Sequence, residues 1–597
     1  MKTEPNSLPT KRSRLFPLKT LALAAGLLVS AAAASAQTLW ITNTEDYNDP
    51  NFWNGPYNGG SNPNTSNDNG TNNVVLIQPG DPVWQHGDTL AGNGAGTSGA
   101  YLQTGSTNDT GGGNWLRMGI GSGSYGSYIL SNGVVNVGGR TQIGENGVGY
   151  LEIDGGNYNG NVNDGGANPS MVCGQGDFGP GIGTLVINGG TVTYANETWF
   201  GQQGSGGTGI GYFFMNGGTL NVNSWFVFGR NGGATGAQGY GVMTGGTINL
   251  HGGGQFLVGG GGIGSLAQSG GTINVFNQYC IPQSDGGSGG SGTNILSGNA
   301  ILNVHDWLAV GRNNGNGELD LSGNAILTRD NASDGGSHFD IGAGPSAVGI
   351  VNQNGGTVIE SSSDLWLGES GSGTWNFNSG TAMVQNVIFC VNSSASGQLN
   401  LNGGLFQTAG FSSPTTGASV SLLNLNGATL QANANNPAFI TGLLQANIGS
   451  GGVTLDSQGY DITIPQVLSD AGGGTLAKIG TGIVTLTGAN SYAGLTAVNE
   501  GTLATTTAST GAGAYSVANS STLDVQVVGS LNSQLNMSSL SFDNTSTTLG
   551  IDLNNFGNPA SAPINVTSAL TVNGTVTINI ADALPQVGQF PLIAYAS

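Results

Sequence analysis

The chain has 597 residues, of which 110 are glycine and only 7% are charged, with 11 lysines and arginines against 32 aspartates and glutamates. A net charge of −21 excludes nucleic acid and anionic lipid as partners, because both require Lys/Arg clusters to displace counterions. Disorder, the usual companion of high glycine and low charge, is excluded by Leu, Ile, Val and Trp recurring at regular intervals.

The first 36 residues read as a secretion signal. Lys11, Arg12, Arg14 and Lys19 form a basic region, residues 21–33 are apolar, and Ala34, Ser35 and Ala36 make a small-x-small cleavage site ahead of Gln37. The apolar run is shorter than the ~20 residues that span a bilayer, and no later segment reaches that length. Cleavage would leave 6 basic and 31 acidic residues, with Lys478 the sole lysine. Such a surface would repel even polyuronates unless calcium intervened. Residues 37–113 follow, with Trp40, Trp53 and Trp84, many Asn-Gly and Asn-Pro turns and a strand expected over 74–78. They lack the repeat that comes next and are expected to cap its first rung, whose backbone would otherwise stand unpaired.

From residue 114 to 430 one phrase recurs, apolar-x-apolar-Asn-Gly-Gly-Thr-apolar-x-apolar. It reads LVINGGTV from Leu185, FFMNGGTL from Phe213, VMTGGTI from Val242 and LAQSGGTI from Leu266. The first glycine falls at 189, 217, 245, 270, 298, 323, 355, 380 and 403, in steps of 23 to 32. A fixed period of this size marks a solenoid, in which each unit buries its apolar face only against its neighbours. Each period holds three short strands. The first two alternate apolar and polar residues about the glycine turn, and the third is aromatic and ends in glycine, as at Trp199, Trp225, Trp307 and Trp366. About a dozen coils are expected between Trp115 and Leu430. Residues such as Leu220, Val222, Leu250, Ile273 and Val275 should form inward columns.

Cys173, Cys280 and Cys390 lie in the third strand, four coils apart. At ~4.8 Å per rung they are roughly 19 Å from one another, too far to bridge, and they are expected as buried free thiols.

No metal motif, phosphate loop or nucleophile elbow is present. Asp-Gly-Gly at 154, 164, 285 and 334 hints at calcium loops, without the nonapeptide pattern of a calcium β-roll; no cofactor is expected. One polar cluster stands out. Aligning ILNVHDW from Ile301 with ILTRDN from Ile326 pairs Val304 with Arg329 and His305 with Asp330. This brings His305, Asp306, Arg329 and Asp330 to one place, with His338 and Asp340 following. A carboxylate within about 5 Å of an imidazole is an acid/base arrangement. The competing reading is that opposite charges stack at a coil edge for local order. The tryptophans divide in the same way, between sugar-stacking platforms and edge-column packing.

Residues 431–505 continue the helix and contain, at 476–503, LAKIGTGIVTLTGANSYAGLTAVNEGTL. Leu476, Lys478, Gly480, Gly482, Leu486, Gly488, Asn490, Tyr492, Gly494, Thr496, Val498, Gly501 and Leu503 carry a pattern that resembles the autotransporter-associated β-strand repeat; Leu495 departs from it. The resemblance implies a β-helical passenger that is exported and displayed, and implies no shared catalytic site. Residues 506–597 are expected as a β-rich segment without a membrane barrel or sorting tail, from a gene that is truncated or a product released into the medium. The expected fold is all-β, a right-handed parallel β-helix of the pectin-lyase-like kind with an N-terminal β cap. The expected role is that of a non-catalytic, Sec-exported solenoid, secreted or at the bacterial cell surface. It would be structural or adhesive, with extracellular glycans or other surface proteins as partners. The alternative is a polysaccharide lyase, glycoside hydrolase or glycan-binding protein on the same fold.

Overall fold

The computed structural model describes residues 43–46, 65–67, 73–81, 83–161, 169–204, 206–230, 236–283, 289–330, 338–414, 420–543, 546–581 and 587–596. The expected signal and its cleavage site at Ala36 and Gln37 lie outside them. Within them the secondary structure is strand and turn, with no helix, wound into a parallel β-solenoid of about 19 turns.

Between Leu116 and Ser412 each turn contributes a strand segment to each of three ladders, and successive turns pair in parallel; from Ile462 on, a separate six-stranded sheet takes the place of the third ladder. The first ladder takes strands such as Gly181–Ile187, Gly209–Met215 and Ala237–Met243. The second takes Thr191–Tyr194, Thr219–Val222, Thr247–Leu250 and Thr272–Val275. The third takes Thr198–Gln203, Phe226–Arg230, Phe256–Val258 and Tyr279–Gln283. It crosses twelve times between Leu116 and Ser412. In the first two ladders the register aligns like residues, so that Thr191, Thr219, Thr247 and Thr272 form one column. Leu220, Val222, Leu250, Ile273 and Val275 all point into the core and are at most 1% exposed. The stack is held by apolar columns in which each side chain touches its equivalents above and below.

Glycine makes the close stacking sterically open. Gly218 has φ +74°, where a Cβ is strained, and a Cβ on Gly217 would stand 2.5 Å from the carbonyl oxygen of Asn188 in the coil before. The asparagines of the turn then form a hydrogen-bonded ladder outside the core. Asn216 Nδ2 donates to Asn188 Oδ1 at 2.8 Å and Thr244 Oγ1 donates to Asn216 Oδ1 at 2.9 Å. A second ladder runs Asn303 to Asn274 to Asn249 to Asn221 at 2.9–3.0 Å.

The ladders extend beyond the limits read from the repeat. Asn73–Ile77, close to the strand expected over 74–78, pairs with Ser98–Gln103, which pairs with Tyr125–Leu130. Tyr515–Val517, Leu540–Phe542 and Leu570–Val572 likewise follow Thr496–Val498. The expected borders at 113/114 and 505/506 therefore mark a change of spelling rather than of fold. In the early coils the inward slot before the turn holds Gln103, whose amide donates to the carbonyls of Gly105, Ser106 and Val134. Gln268 and Gln353 fill the same slot later and make the same kind of bonds, directly before the glycine phrase; the early turns are spelled Thr-Gly-Ser-Thr from 104 and Ser-Asn-Gly-Val from 131, so the period was hidden.

Candidate functional site

The coils at 301–307 and 326–330 place the polar cluster. Val304 pairs with Arg329 as the alignment required, and His305 Nδ1 lies 2.5 Å from Asp330 Oδ1. Both side chains are on the outside, 25% and 49% exposed. The imidazole is also one layer of a ring stack: Phe276 lies between His251 and His305, each 4.8 Å from it. A carboxylate that orients an imidazole is the base-and-orienter half of a hydrolytic arrangement.

The other two members do not join that pair. Arg329 follows Val222, Leu250, Val275 and Val304 in an inward column and is 1% exposed. Its guanidinium bonds Glu360 Oε1 at 2.9 Å, Ser363 Oγ at 2.5 Å and the Asp306 carbonyl at 2.8 Å. Asp306 thus meets it through its backbone. Burial raises the Glu360 carboxyl above its ordinary value, against the opposing pull of Arg329. Glu360 was missed, although counting three residues on from Thr357, as from Ile326 to Arg329, reaches it.

His338 and Asp340 stand on the outer side of the third ladder instead. Asp340 is fully buried, and its Oδ2 accepts the indole N–H of Trp307 in the coil before. Burial, then the neighbouring Glu369, pushes its carboxyl well above the ordinary range. The His338 ring stacks on Trp366 at 3.7 Å, and burial lowers its pKa. Of the calcium hints, Asp154 accepts from Asn188 Nδ2 at 2.8 Å within the asparagine ladder. Asp164, Asp285 and Asp334 lie outside the described residues. The three cysteines are buried and free. Cys390, at φ +51°, occupies the slot that Gly368 fills at φ +77° one coil earlier.

Lys478, the third residue of the motif that begins at Leu476, is fully buried. Its ammonium donates to Ser457 Oγ and to the carbonyls of Ile479, Gly480 and Glu500 at 2.6–3.1 Å. Burial lowers its pKa from 10.5 to about 8. Asn490 Oδ1 accepts from the Leu468 amide at 2.9 Å, and the Tyr492 hydroxyl meets Thr496 at 3.0 Å. The polar residues of the motif tie turns of neighbouring coils together.

Residues 476–504 match the passenger-associated-transport-repeat family. The repeat lies in register within the ladders, Val453 pairing with Leu476 and Leu476 with Thr496. Repeat and stack together fit a β-solenoid of the autotransporter-passenger kind. No curated protein matches the chain. Among the described residues no helix is long and apolar enough to cross a membrane.

Proposed function

We propose that the chain is a non-catalytic, exported solenoid whose work is to hold a long, regular surface outside the cell, with a structural or adhesive role. The observation that carries this reading is the transport-associated repeat at 476–504, built into the same ladders as the rest of the stack. The basic, apolar and small-residue order of the first 36 residues supports export. The buried polar groups support the scaffold role, because Arg329 of the candidate cluster, Asp340 and the motif's Lys478 each serve as an internal tie between coils. In this reading the stack winds to the right, as parallel crossovers do in nearly all sheets.

The test is expression of the full chain, residues 1–597, in a bacterium with an outer membrane. Mass spectrometry of the exported protein should find Gln37 first, and a chain lacking residues 1–36 should stay inside. Export of a chain that retains Met1, or equal export without residues 1–36, overturns the signal assignment. Turnover of any polysaccharide by the purified chain, abolished in Asp330→Ala, would replace the scaffold reading with an enzyme.

A further inference from the structure

The turn at residues 131–133 departs from a rule that its neighbours keep. Strand pairing sets Leu130 against Gln103 and Ile153, and Val134 against Thr107 and Asn157. Asn132 therefore stands opposite Gly105 in the coil before and Gly155 in the coil after. Later coils repeat that slot as Gly189, Gly217, Gly245 and Gly270. The ladder asparagines Asn188 and Asn216 occupy the place one residue earlier, where this coil has Ser131.

Asn132 thus carries a side chain where the adjoining coils have none to offer it, and it is exposed. It folds back over its own turn. The Gly133 N–H donates to Asn132 Oδ1 at 2.8 Å, a local bond of the kind that asparagine makes in turns. Among the described residues that N–H has no backbone acceptor, and the Asn132 amide nitrogen makes no hydrogen bond. Gly133 has φ +104°, so the residue after Asn132 has to be glycine.

The ladder asparagines that also precede glycine are held differently. Asn188 Nδ2 donates to Glu152 and Asp154, its Oδ1 accepts from Asn216, and the Gly189 N–H is spent on the Ile153 carbonyl at 3.2 Å. Asn216 Oδ1 accepts from Thr244, and the Gly217 N–H reaches the Ile187 carbonyl at 3.4 Å. At Asn426 the side-chain oxygen accepts the Gly451 N–H at 2.9 Å, and the Gly427 N–H bonds the Gly452 carbonyl at 2.7 Å. In each, the side chain and the amide after it are tied to other coils.

The difference is chemical as well as structural. An amide nitrogen lying against the preceding asparagine side chain is a nucleophile held beside an electrophile. When hydroxide takes the Gly133 N–H proton, the nitrogen can attack Asn132 Cγ. The N–Cγ bond forms, the Cγ–Nδ2 bond breaks, and ammonia leaves with a proton from water. One water molecule then opens the cyclic imide at either carbonyl, giving aspartate or isoaspartate. Where both groups are tied into the ladder, the attack must wait for the coil to open locally.

We propose that Asn132 is a site of spontaneous deamidation in the folded chain, and that the ladder protects Asn188, Asn216 and Asn426 from the same reaction. The proposal goes beyond the export reading and does not depend on it. The product places a new carboxylate in the turn between Tyr125–Leu130 and Val134–Val137, and the fraction converted records the age of the folded chain. The test is incubation of the full chain at pH 8, native and in denaturant, followed by peptide mapping with mass spectrometry that resolves isoaspartate. Native Asn132 should convert about tenfold faster than the three ladder asparagines, and all four should fall within about threefold of one another once unfolded. Asn132→Gln, whose side chain closes a larger ring less readily, should lower conversion at 132 about tenfold with circular dichroism unchanged. Asn188→Ala takes from Asn216 the oxygen that holds its amide, and should quicken conversion of Asn216 about threefold. Equal native rates at Asn132 and the ladder asparagines, or a native Asn132 that stays intact while the unfolded chain converts there, overturns the site. An unchanged Asn216 in Asn188→Ala overturns the protection by the ladder.

Discussion

Arg329 and Glu360 meet inside the stack, 2.9 Å apart and essentially unexposed, in a column that Val304 and Val384 continue on either side. Two charged residues stand in a position where the four coils before hold Val222, Leu250, Val275 and Val304. The arrangement is stable as a pair and unstable as halves. Arg329→Met leaves the Glu360 carboxylate buried without its partner and should cost about 3–5 kcal/mol, whereas Arg329→Met/Glu360→Val should be close to neutral or stabilising. Hydrogen exchange of Ile326–Arg329 and Val348–Glu360, alongside thermal melts, distinguishes the two; equal destabilisation by both variants would show that the pair does not act as one unit.

Ile273→Asp tests the column itself. It puts an unpaired charge at a fully buried position and should cost several kcal/mol. The damage should be local, because a stack is stabilised by nearest-neighbour terms. Exchange should quicken first in Thr247–Leu250 and Ile301–Val304, the strands on either side. Uniform loss of protection along the chain would show instead that the coils unfold as one body.

The thiols give a simpler measurement. Cys173, Cys280 and Cys390 are all buried and free, and burial raises the pKa of Cys173 and Cys390, which suppresses the reactive thiolate. A thiol reagent should find almost none in the native chain and three after denaturation.

Lys478 predicts a dependence on alkaline pH. Its folded pKa is about 8 against 10.5 in the ordinary state. Between those values the unfolded chain holds a proton that the folded coil has released, so the stability of this coil should rise with pH across the window. The rise should be at most about 3 kcal/mol. Lys478→Met should remove it, and a wild-type chain whose local protection falls from pH 8 to 10 would contradict the assignment.

Much of the fold was legible because a solenoid repeats its physics. A turn glycine recurring in steps of 23 to 32 located the turns from 189 to 403, and alternation around it placed Leu220 and Ile273 in the core. Val304 opposite Arg329 and His305 opposite Asp330 followed from the same alignment. What the step could not show was direction. Whether Arg329 turns in or out depends on its odd or even place in the strand and on a carboxylate one coil further on, beyond the pair of coils compared. The early coils escaped because their turns lack the Gly-Gly pair, reading Thr-Gly-Ser from 104 and Ser-Asn-Gly from 131, although Gln103 fills the same slot as Gln268 and Gln353. The packing of the Arg230 guanidinium over the Trp225 ring was spelled openly, but a contact five residues apart has meaning only once the left-handed glycine between them is known.

The asparagine ladder has a consequence for how such a molecule can change length. Asn188 and Asn216 hold equivalent places in adjoining turns, 28 residues apart, and the strands between them pair with counterparts one turn on. Excising residues 189–216 would rejoin Asn188 to Gly217 and remove one strand from each ladder, while each remaining residue kept its face. Excising a single residue from a strand would exchange inside for outside along the rest of it. Growth and shrinkage are therefore permitted in whole turns and penalised in fractions. The length of the stack becomes a counted quantity, adjustable without redesigning any one coil.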